Sequence, residues 1–148
     1  MFRSIIIMGM LVVSFIGHSY AENSKGDAVA LVKKAAALVD SIGVEEAIKV
    51  FNNPEGGFVS GALYVFGYDT AGVIVTHPKN AKLIGKDLLN VPDVDGKFFR
   101  KEIVEVAKES GSGWVDYKYK NPETNKVQDK TTYIQKVEGI ILCCGIYK

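Results

Sequence analysis

The sequence has 148 residues, of which 47% are apolar and 24% charged, and its formal net charge at pH 7 is +1. This length and composition fit one globular domain and exclude a disordered, collagen-like or disulfide-dense chain. With 18 Lys and Arg against 17 Asp and Glu, the chain also lacks the excess positive charge by which proteins attract nucleic acid.

The first 21 residues predict a secretory signal peptide. A short basic start precedes an apolar run from Ile5 to Gly17, which is too short to span a bilayer comfortably. Ser19 and Ala21 place small residues at the −3 and −1 positions of a cleavage site, so we expect cleavage before Glu22. An uncleaved N-terminal anchor is the alternative. We expect the domain, residues 22–148, to be periplasmic or secreted.

Two segments show the three- and four-residue apolar spacing of amphipathic helices. The first, residues 27–51, predicts one long helix that Asn23 or Ser24 caps and that Gly43 bends. The second, residues 97–110, predicts a shorter helix. A helix as long as the first needs a sheet or a partner to cover its apolar stripe.

The rest of the chain is mostly strand by its β-branched and aromatic content. We expect a hairpin of strands 58–68 and 73–77, a surface loop over 79–96 and, after the second helix, a meander of strands 114–119, 130–137 and 140–147. This order predicts an α+β fold with an antiparallel sheet. The long helix covers one face of the sheet, and the insert of loop and short helix covers the other.

The two cysteines are adjacent in the last predicted strand. Neighbouring residues of a strand point to opposite faces, so Cys143 and Cys144 are expected to pack on opposite sides of the sheet. Intermolecular or redox chemistry and metal binding are the alternatives. Two adjacent sulfurs without further Cys or His ligands make a poor metal site.

Seven short motifs follow one another in the order and spacing of a known family. The sequence resembles the single Cache domain, type 2, over nearly all of residues 22–148. The motifs are Asp69-x-x-Gly72-x-x-x-x-His77-Pro78, Ile84-Gly85-Lys86, Asp93-x-Asp95-Gly96, Gly113-Trp114-Val115-x-Tyr117, Asn121-Pro122, Lys130-x-x-Tyr133 and Gly145-Ile146-Tyr147. The chain departs from the family pattern at Cys143-Cys144, where Gly-Thr is usual, and at Tyr119, where Trp is common.

The resemblance implies a PAS-like fold, in which a long N-terminal helix packs behind a five- to six-stranded antiparallel sheet. It implies a small-molecule pocket on the other face of the sheet, beneath the insert. Domains of this type are extracytoplasmic sensors of chemoreceptors and sensor kinases, and they often take short-chain carboxylates. Because the sequence ends at Lys148 without a second span or a signalling domain, we expect output through a partner.

Five residues are predicted to bind the ligand: His77 and Lys130 at its charged group, with Tyr68, Tyr117 and Tyr119 lining the cleft. A lone cation in an aromatic cleft suits a small carboxylate or a zwitterion. Each residue has an ordinary alternative. The histidine can be bonded to local backbone, the lysine can be solvated, and the tyrosines can be core residues.

Catalytic and metal constellations are not evident in the sequence. His77 is the only histidine after the signal peptide, and neither a Gly-x-Ser-x-Gly elbow nor a phosphate loop occurs. Asp93-x-Asp95-Gly96 resembles part of a calcium loop, but Val91 and Phe99 would occupy two ligand positions. These two aspartates are expected to form a turn and to cap the helix that follows. We therefore predict a protein that is not an enzyme and that binds no metal or cofactor.

The sequence thus predicts an extracytoplasmic module that binds a small carboxylate or amino-acid-like ligand and feeds signal transduction or chemotaxis. Its expected partners are the small ligand, a membrane receptor or sensor kinase, and a second copy of the chain. The alternative function is an interaction protein that docks a receptor or dimerises through helix 27–51 without a small ligand.

Overall fold

The structure is a computed structural model and describes residues 22–148; the predicted signal peptide lies outside them. Its elements in chain order are α1 (Lys25–Ile42), α2 (Val44–Asn52), β1 (Val59–Ser60), β2 (Leu63–Asp69), β3 (Ile74–Thr76), α3 (Phe99–Ser110), β4 (Ser112–Lys120), β5 (Val127–Val137) and β6 (Ile140–Tyr147). Between residues 22 and 148, no helix has the length and apolar character needed to cross a membrane.

The N-terminal helical segment begins as predicted but is not continuous. The Ser24 hydroxyl accepts the backbone N–H of Asp27 at 3.2 Å, and the Asp27 carboxylate accepts the backbone N–H of Ser24 at 2.6 Å. This reciprocal capping box starts α1. The single helix predicted over 27–51 is wrong, because Gly43 adopts φ 84° and ψ 163°. That conformation lies outside the helical region, so the chain changes direction between α1 and α2.

One antiparallel sheet contains all six strands, in the order β1-β2-β6-β5-β4, and β3 also pairs with β2. The predicted strand 58–68 is instead two strands, because Gly61 at φ 61° turns the chain and Ser60 then pairs with Leu63. β5 begins at Val127, earlier than the predicted start at Lys130, and pairs with β4 as far as Gln135. The predicted α+β fold with a five- to six-stranded antiparallel sheet is confirmed, and the sheet has six strands.

The sheet separates two hydrophobic cores. On one face α1 and α2 pack against side chains that include Val65, Leu142 and Cys144. On the other face α3 packs against side chains that include Phe66 and Cys143. The two cysteines are buried and unbridged, and they lie on opposite faces as the alternation of a strand requires. The predicted placement of helix and insert on opposite faces is therefore correct.

The insert between β3 and α3 is held against β4 by Asp93. Its carboxylate accepts backbone N–H groups of Asp95 and Lys97 within the loop, each at 2.9 Å, and of Lys118 on β4, also at 2.9 Å. The predicted turn is thus present. The predicted capping is wrong, because Phe98 occupies the N-cap position of α3 and makes no side-chain capping bond.

Asn52 joins the end of α2 to the strand that leads into the site. Its side-chain oxygen accepts the Thr76 hydroxyl at 2.8 Å and the backbone N–H of His77 at 3.0 Å. Both donors belong to buried residues. One amide oxygen on the helix side of the sheet therefore fixes where His77 leaves β3.

The substitution Asn52→Ala is expected to lower the free energy of unfolding by about 1–3 kcal/mol, because it leaves two buried donors without their acceptor. Urea denaturation measures this loss. Asn90→Ala, at an exposed position of the insert, is the matched control and should unfold like the parent chain. Equal midpoints for the two variants would show that the Asn52 bonds do not hold β3 in place.

Candidate functional site

A cavity lies between the sheet and the insert, on the face that carries α3. Ten residues line it, and all five predicted ligand-binding residues are among them: Tyr68, His77, Tyr117, Tyr119 and Lys130. The walls come from β2, the end of β3, the insert, α3, β4 and β5. The topology thus brings residues that are up to 64 positions apart in sequence, Phe66 and Lys130, to one place.

The cavity is narrow. The free volume at its centre is about 10 Å³, which is about the room that one water molecule needs. An organic ligand therefore fits only if it is small and if wall side chains move outward. Leu83 of the insert and Phe99 of α3 are wall residues that do not belong to the sheet.

Lys130 is the most unusual residue of the site. Its side chain is only 1% exposed, although lysine is rarely buried without a partner. The stem runs across Gly145 of the neighbouring strand, where a Cβ atom would collide with the Lys130 Cε. The Nζ donates a hydrogen bond to the Tyr64 hydroxyl at 3.1 Å. A solvated Lys130, one of the two predicted alternatives, is therefore wrong.

The Lys130 ammonium lies among aromatic faces and not beside an acid. Its Nζ is within about 6 Å of five ring centroids, those of Tyr64, Phe66, Tyr117, Tyr119 and Tyr147. None of the ten residues that line the cavity is Asp or Glu. Burial lowers the pKa of Lys130 from 10.5 to about 7, because the charged form loses water and gains no opposite charge.

His77 faces the same cavity from the end of β3. Its ring centroid lies 5.3 Å from that of Tyr64 and 5.8 Å from that of Phe66. Burial and the positive charges of Lys130 and Arg100 lower the pKa of His77 to about 4, so the ring is neutral at pH 7. Its Nδ1 is buried without a hydrogen-bond partner among the described residues. The imidazole therefore has capacity to bond a ligand.

Arg100 is a wall residue that the sequence analysis did not identify. It is 6% exposed and lies at the start of α3, with its guanidinium over the Phe99 ring and one Nη1 bond to the Val91 carbonyl at 3.3 Å. Its Nε is buried without a partner within residues 22–148. The signal was present in the sequence, because Arg100 falls on the apolar stripe with Ile103 and Ala107.

The three predicted tyrosines, Tyr68, Tyr117 and Tyr119, both pack in the hydrophobic core and line the cavity. Tyr117 stacks on Phe99 at 4.0 Å between ring centroids, and its hydroxyl bonds that of Thr132 at 2.9 Å. Tyr119 lies edge-on to both rings, at 6.0 Å from each. Tyr68 is buried, and burial raises the pKa of its hydroxyl above the ordinary range. Core packing and cavity lining, which the sequence left as alternatives, therefore apply together.

The aspartates of the insert do not form a metal cluster. Asp93 is engaged with backbone N–H groups, and Asp95 forms an ion pair with Lys118 at 3.7 Å. In the part of the chain that the structure describes, no three His, Cys, Asp or Glu side chains are grouped in a way that could hold a metal ion. The cationic cavity is thus the candidate site.

A covered sheet face and a cavity beneath the insert are the features that the resemblance implies, and the structure has both. The family model of Single Cache domain 2 matches residues 11–147. The chain belongs to this family. The match extends over far more than half of the sequence, so the resemblance noted from short motifs is confirmed along the whole fold.

Three known proteins show what this Cache domain is similar to. The methyl-accepting chemotaxis protein McpP of Pseudomonas putida is 34% identical over 57% of this chain, and the sensor histidine kinase MctS of Rhizobium johnstonii is 31% identical over 51%. The chain spans 16% of the length of each. A solved Cache chemosensory domain, described for its recognition of carboxylic acids, is 28% identical with a TM-score of 0.65. That match covers 82% of this chain and 86% of the other.

Gly145→Ala tests whether the glycine makes room for the lysine. The added methyl group would meet Lys130 Cε and the Thr132 hydroxyl, so we expect a loss of about 1–3 kcal/mol in the free energy of unfolding. Gly139→Ala is the control, because nothing lies within 4 Å of a Cβ at that position. If both variants unfold at the same urea concentration, the Lys130 side chain does not depend on Gly145.

Proposed function

We propose that this Cache domain is an extracytoplasmic sensor module that binds a small carboxylate, with Lys130 and His77 at the charged group and Tyr68, Tyr117 and Tyr119 around it. The observation that carries the proposal is the buried Lys130 amine, which lines the cavity without an acidic partner. A buried cation of this kind is stabilised by whatever anion enters.

The charge of the walls selects the class of ligand. Lys130 and Arg100 are cationic groups, His77 supplies a neutral imidazole, and the lining contains no carboxylate. An amine or a metal cation would meet uncompensated positive charge there. The ammonium of an amino acid would find aromatic faces, hydroxyls and an imidazole there but no carboxylate. A simple carboxylate therefore fits better than a zwitterion, and the narrow cavity favours a short one.

The relatives support a sensing role. They are a chemoreceptor, a sensor kinase and a chemosensory domain that recognises carboxylic acids. We propose that this chain likewise feeds signal transduction or chemotaxis, through a membrane receptor or sensor kinase as its partner. A change in the covering segment on ligand binding would alter the surface that such a partner contacts.

A thermal-shift screen of residues 22–148 tests the proposal, with small carboxylates, amino acids, amines and urea as ligands. A carboxylate at 100 times its dissociation constant should add about 2.7 kcal/mol of stability, which raises the Tm by several degrees. Lys130→Met should abolish the shift. Lys136→Met changes an exposed lysine of the same strand and should leave the shift intact.

Two results would contradict the proposal. One is an equal ligand-induced shift in the Lys130→Met and Lys136→Met variants, which would place the carboxylate elsewhere. The other is an absence of any shift with carboxylates, which would favour the alternative function, docking or dimerisation through the N-terminal helices. Sedimentation and pull-down from membrane extract would then be the decisive measurements.

The proposed location depends on removal of the N-terminal segment. We propose that the mature chain is periplasmic and begins at Glu22. Expression of the full sequence in a bacterial host, followed by osmotic release and intact-mass measurement, should give a product that starts there. Ala21→Arg should block processing, because a small residue is required at that position. A product that keeps residues 1–21 and stays with the membrane would indicate an anchor.

A further inference from the structure

We infer that a carboxylate enters the cavity together with one proton, which Lys130 takes up, so that the affinity for the carboxylate falls as the pH rises above neutrality. The inference rests on the proposed function and adds to it a regulation of the same site. The domain would then respond to the product of carboxylate and proton concentrations, and not to the carboxylate alone.

The geometry around Lys130 is suited to a neutral amine in the free protein. The Nζ makes one hydrogen bond, to the Tyr64 hydroxyl, whereas an ammonium group has three donors to satisfy. Ring faces of β2, β4 and β6 occupy the rest of its surroundings. None of the five ion pairs among the described residues involves Lys130. Cation–π contacts with these rings offset part of the cost of a buried charge, but the charged form has no opposite charge beside it until an anion arrives.

Burial is the cause of the lowered pKa of Lys130, about 7 in the free protein. A carboxylate within about 4–6 Å favours the charged form and raises that pKa again. Above pH 7 the free protein therefore holds mostly the amine, and the complex holds the ammonium. The additional proton comes from solvent, and the bound pair of ammonium and carboxylate has no net charge.

The other groups around Lys130 whose pKa is shifted do not change charge between about pH 6 and pH 9. His77 at the end of β3 has a pKa of about 4, and the guanidinium of Arg100 on α3 lies in the same cavity wall. On β6, burial raises the pKa of Cys144 and of Tyr147 to about 12 and that of Cys143 further. The remaining groups are phenols. Burial raises the pKa of Tyr64 on β2 and of Tyr117 on β4, so both stay protonated in this range. Tyr119 also lies beside Lys130.

The number of protons taken up on binding determines how steeply the affinity for the carboxylate changes with pH. Uptake of one proton on binding makes the apparent affinity fall about tenfold for each pH unit above the pKa of the free amine, as long as the complex stays protonated. Below that pKa the amine is already charged, so the affinity becomes independent of pH. Carboxylates themselves titrate near pH 4 and contribute nothing in this range.

Isothermal titration calorimetry with acetate, and with propionate in parallel, tests the inference on residues 22–148. At about pH 8, titrations in phosphate and in Tris differ in buffer ionisation heat, and the difference counts the protons taken up. We expect close to one proton per acetate bound, and about tenfold weaker binding at about pH 9 than at about pH 8. At about pH 6 the proton count should approach zero.

Lys130→Arg keeps a positive charge at this position but removes the group that takes up a proton on binding. A guanidinium stays protonated, so this variant should bind with no proton uptake and with a flat pH profile, provided that circular dichroism shows it folded. Lys136→Arg, at an exposed position of β5, should behave as the parent chain does. The parent titrations in two buffers decide the question even if Lys130→Arg fails to fold.

The two proposals fail in different ways. Acetate or propionate binding with no proton uptake and with equal affinity at about pH 7 and about pH 9 would overturn the inference and leave the carboxylate site intact. An absence of binding heat for both acids at every pH, in folded protein, would overturn the carboxylate site and the inference with it. Proton uptake that persists in Lys130→Arg would assign the proton to another group and overturn the inference alone.

Discussion

The burial of the Lys130 amine determines the charge of the site. Removing a lysine from water without an acid costs several kcal/mol when the group is charged, and the fold meets this cost by shifting the group toward its neutral form. The unfolded chain holds this proton up to pH 10.5, and the folded chain releases it near pH 7. Between these values the unfolded state binds the extra proton, so the contribution of Lys130 to stability improves as the pH rises.

The scaffold around Lys130 consists of residues whose roles are steric or local. Gly145 lacks the Cβ atom that would collide with the lysine stem. Asp93 ties the covering loop to β4, and Asn52 ties the end of β3 to α2. None of these three lines the cavity. Together they place a strand, a loop and a helix so that Lys130, His77 and Arg100 meet in one cavity.

Much of this arrangement was predictable from the sequence. The alternation of strands, the spacing of the helices and the seven motifs predicted the α+β fold and a sheet covered on both faces. The five residues predicted to bind the ligand are five of the ten that line the cavity. Local breaks were missed because a single backbone angle decides them, as at Gly43 and Gly61. Arg100 was missed because arginines are usually exposed. Its position among the apolar residues that α3 turns toward the sheet was the only sign that it is buried. Tyr64 and Tyr147 were missed because their contact with Lys130 depends on how β2 and β6 pair.

Strand β6 contributes side chains to both hydrophobic cores. Cys143 belongs to the cavity side and Cys144 to the side of α1, although the two residues are covalent neighbours. The sheet is one backbone thick at this point, so β6 cannot shift toward or away from the cavity without changing its packing against α1. Because α1 packs directly against β6, a displacement of this strand would reach the N-terminal helix without passing through another helix or strand.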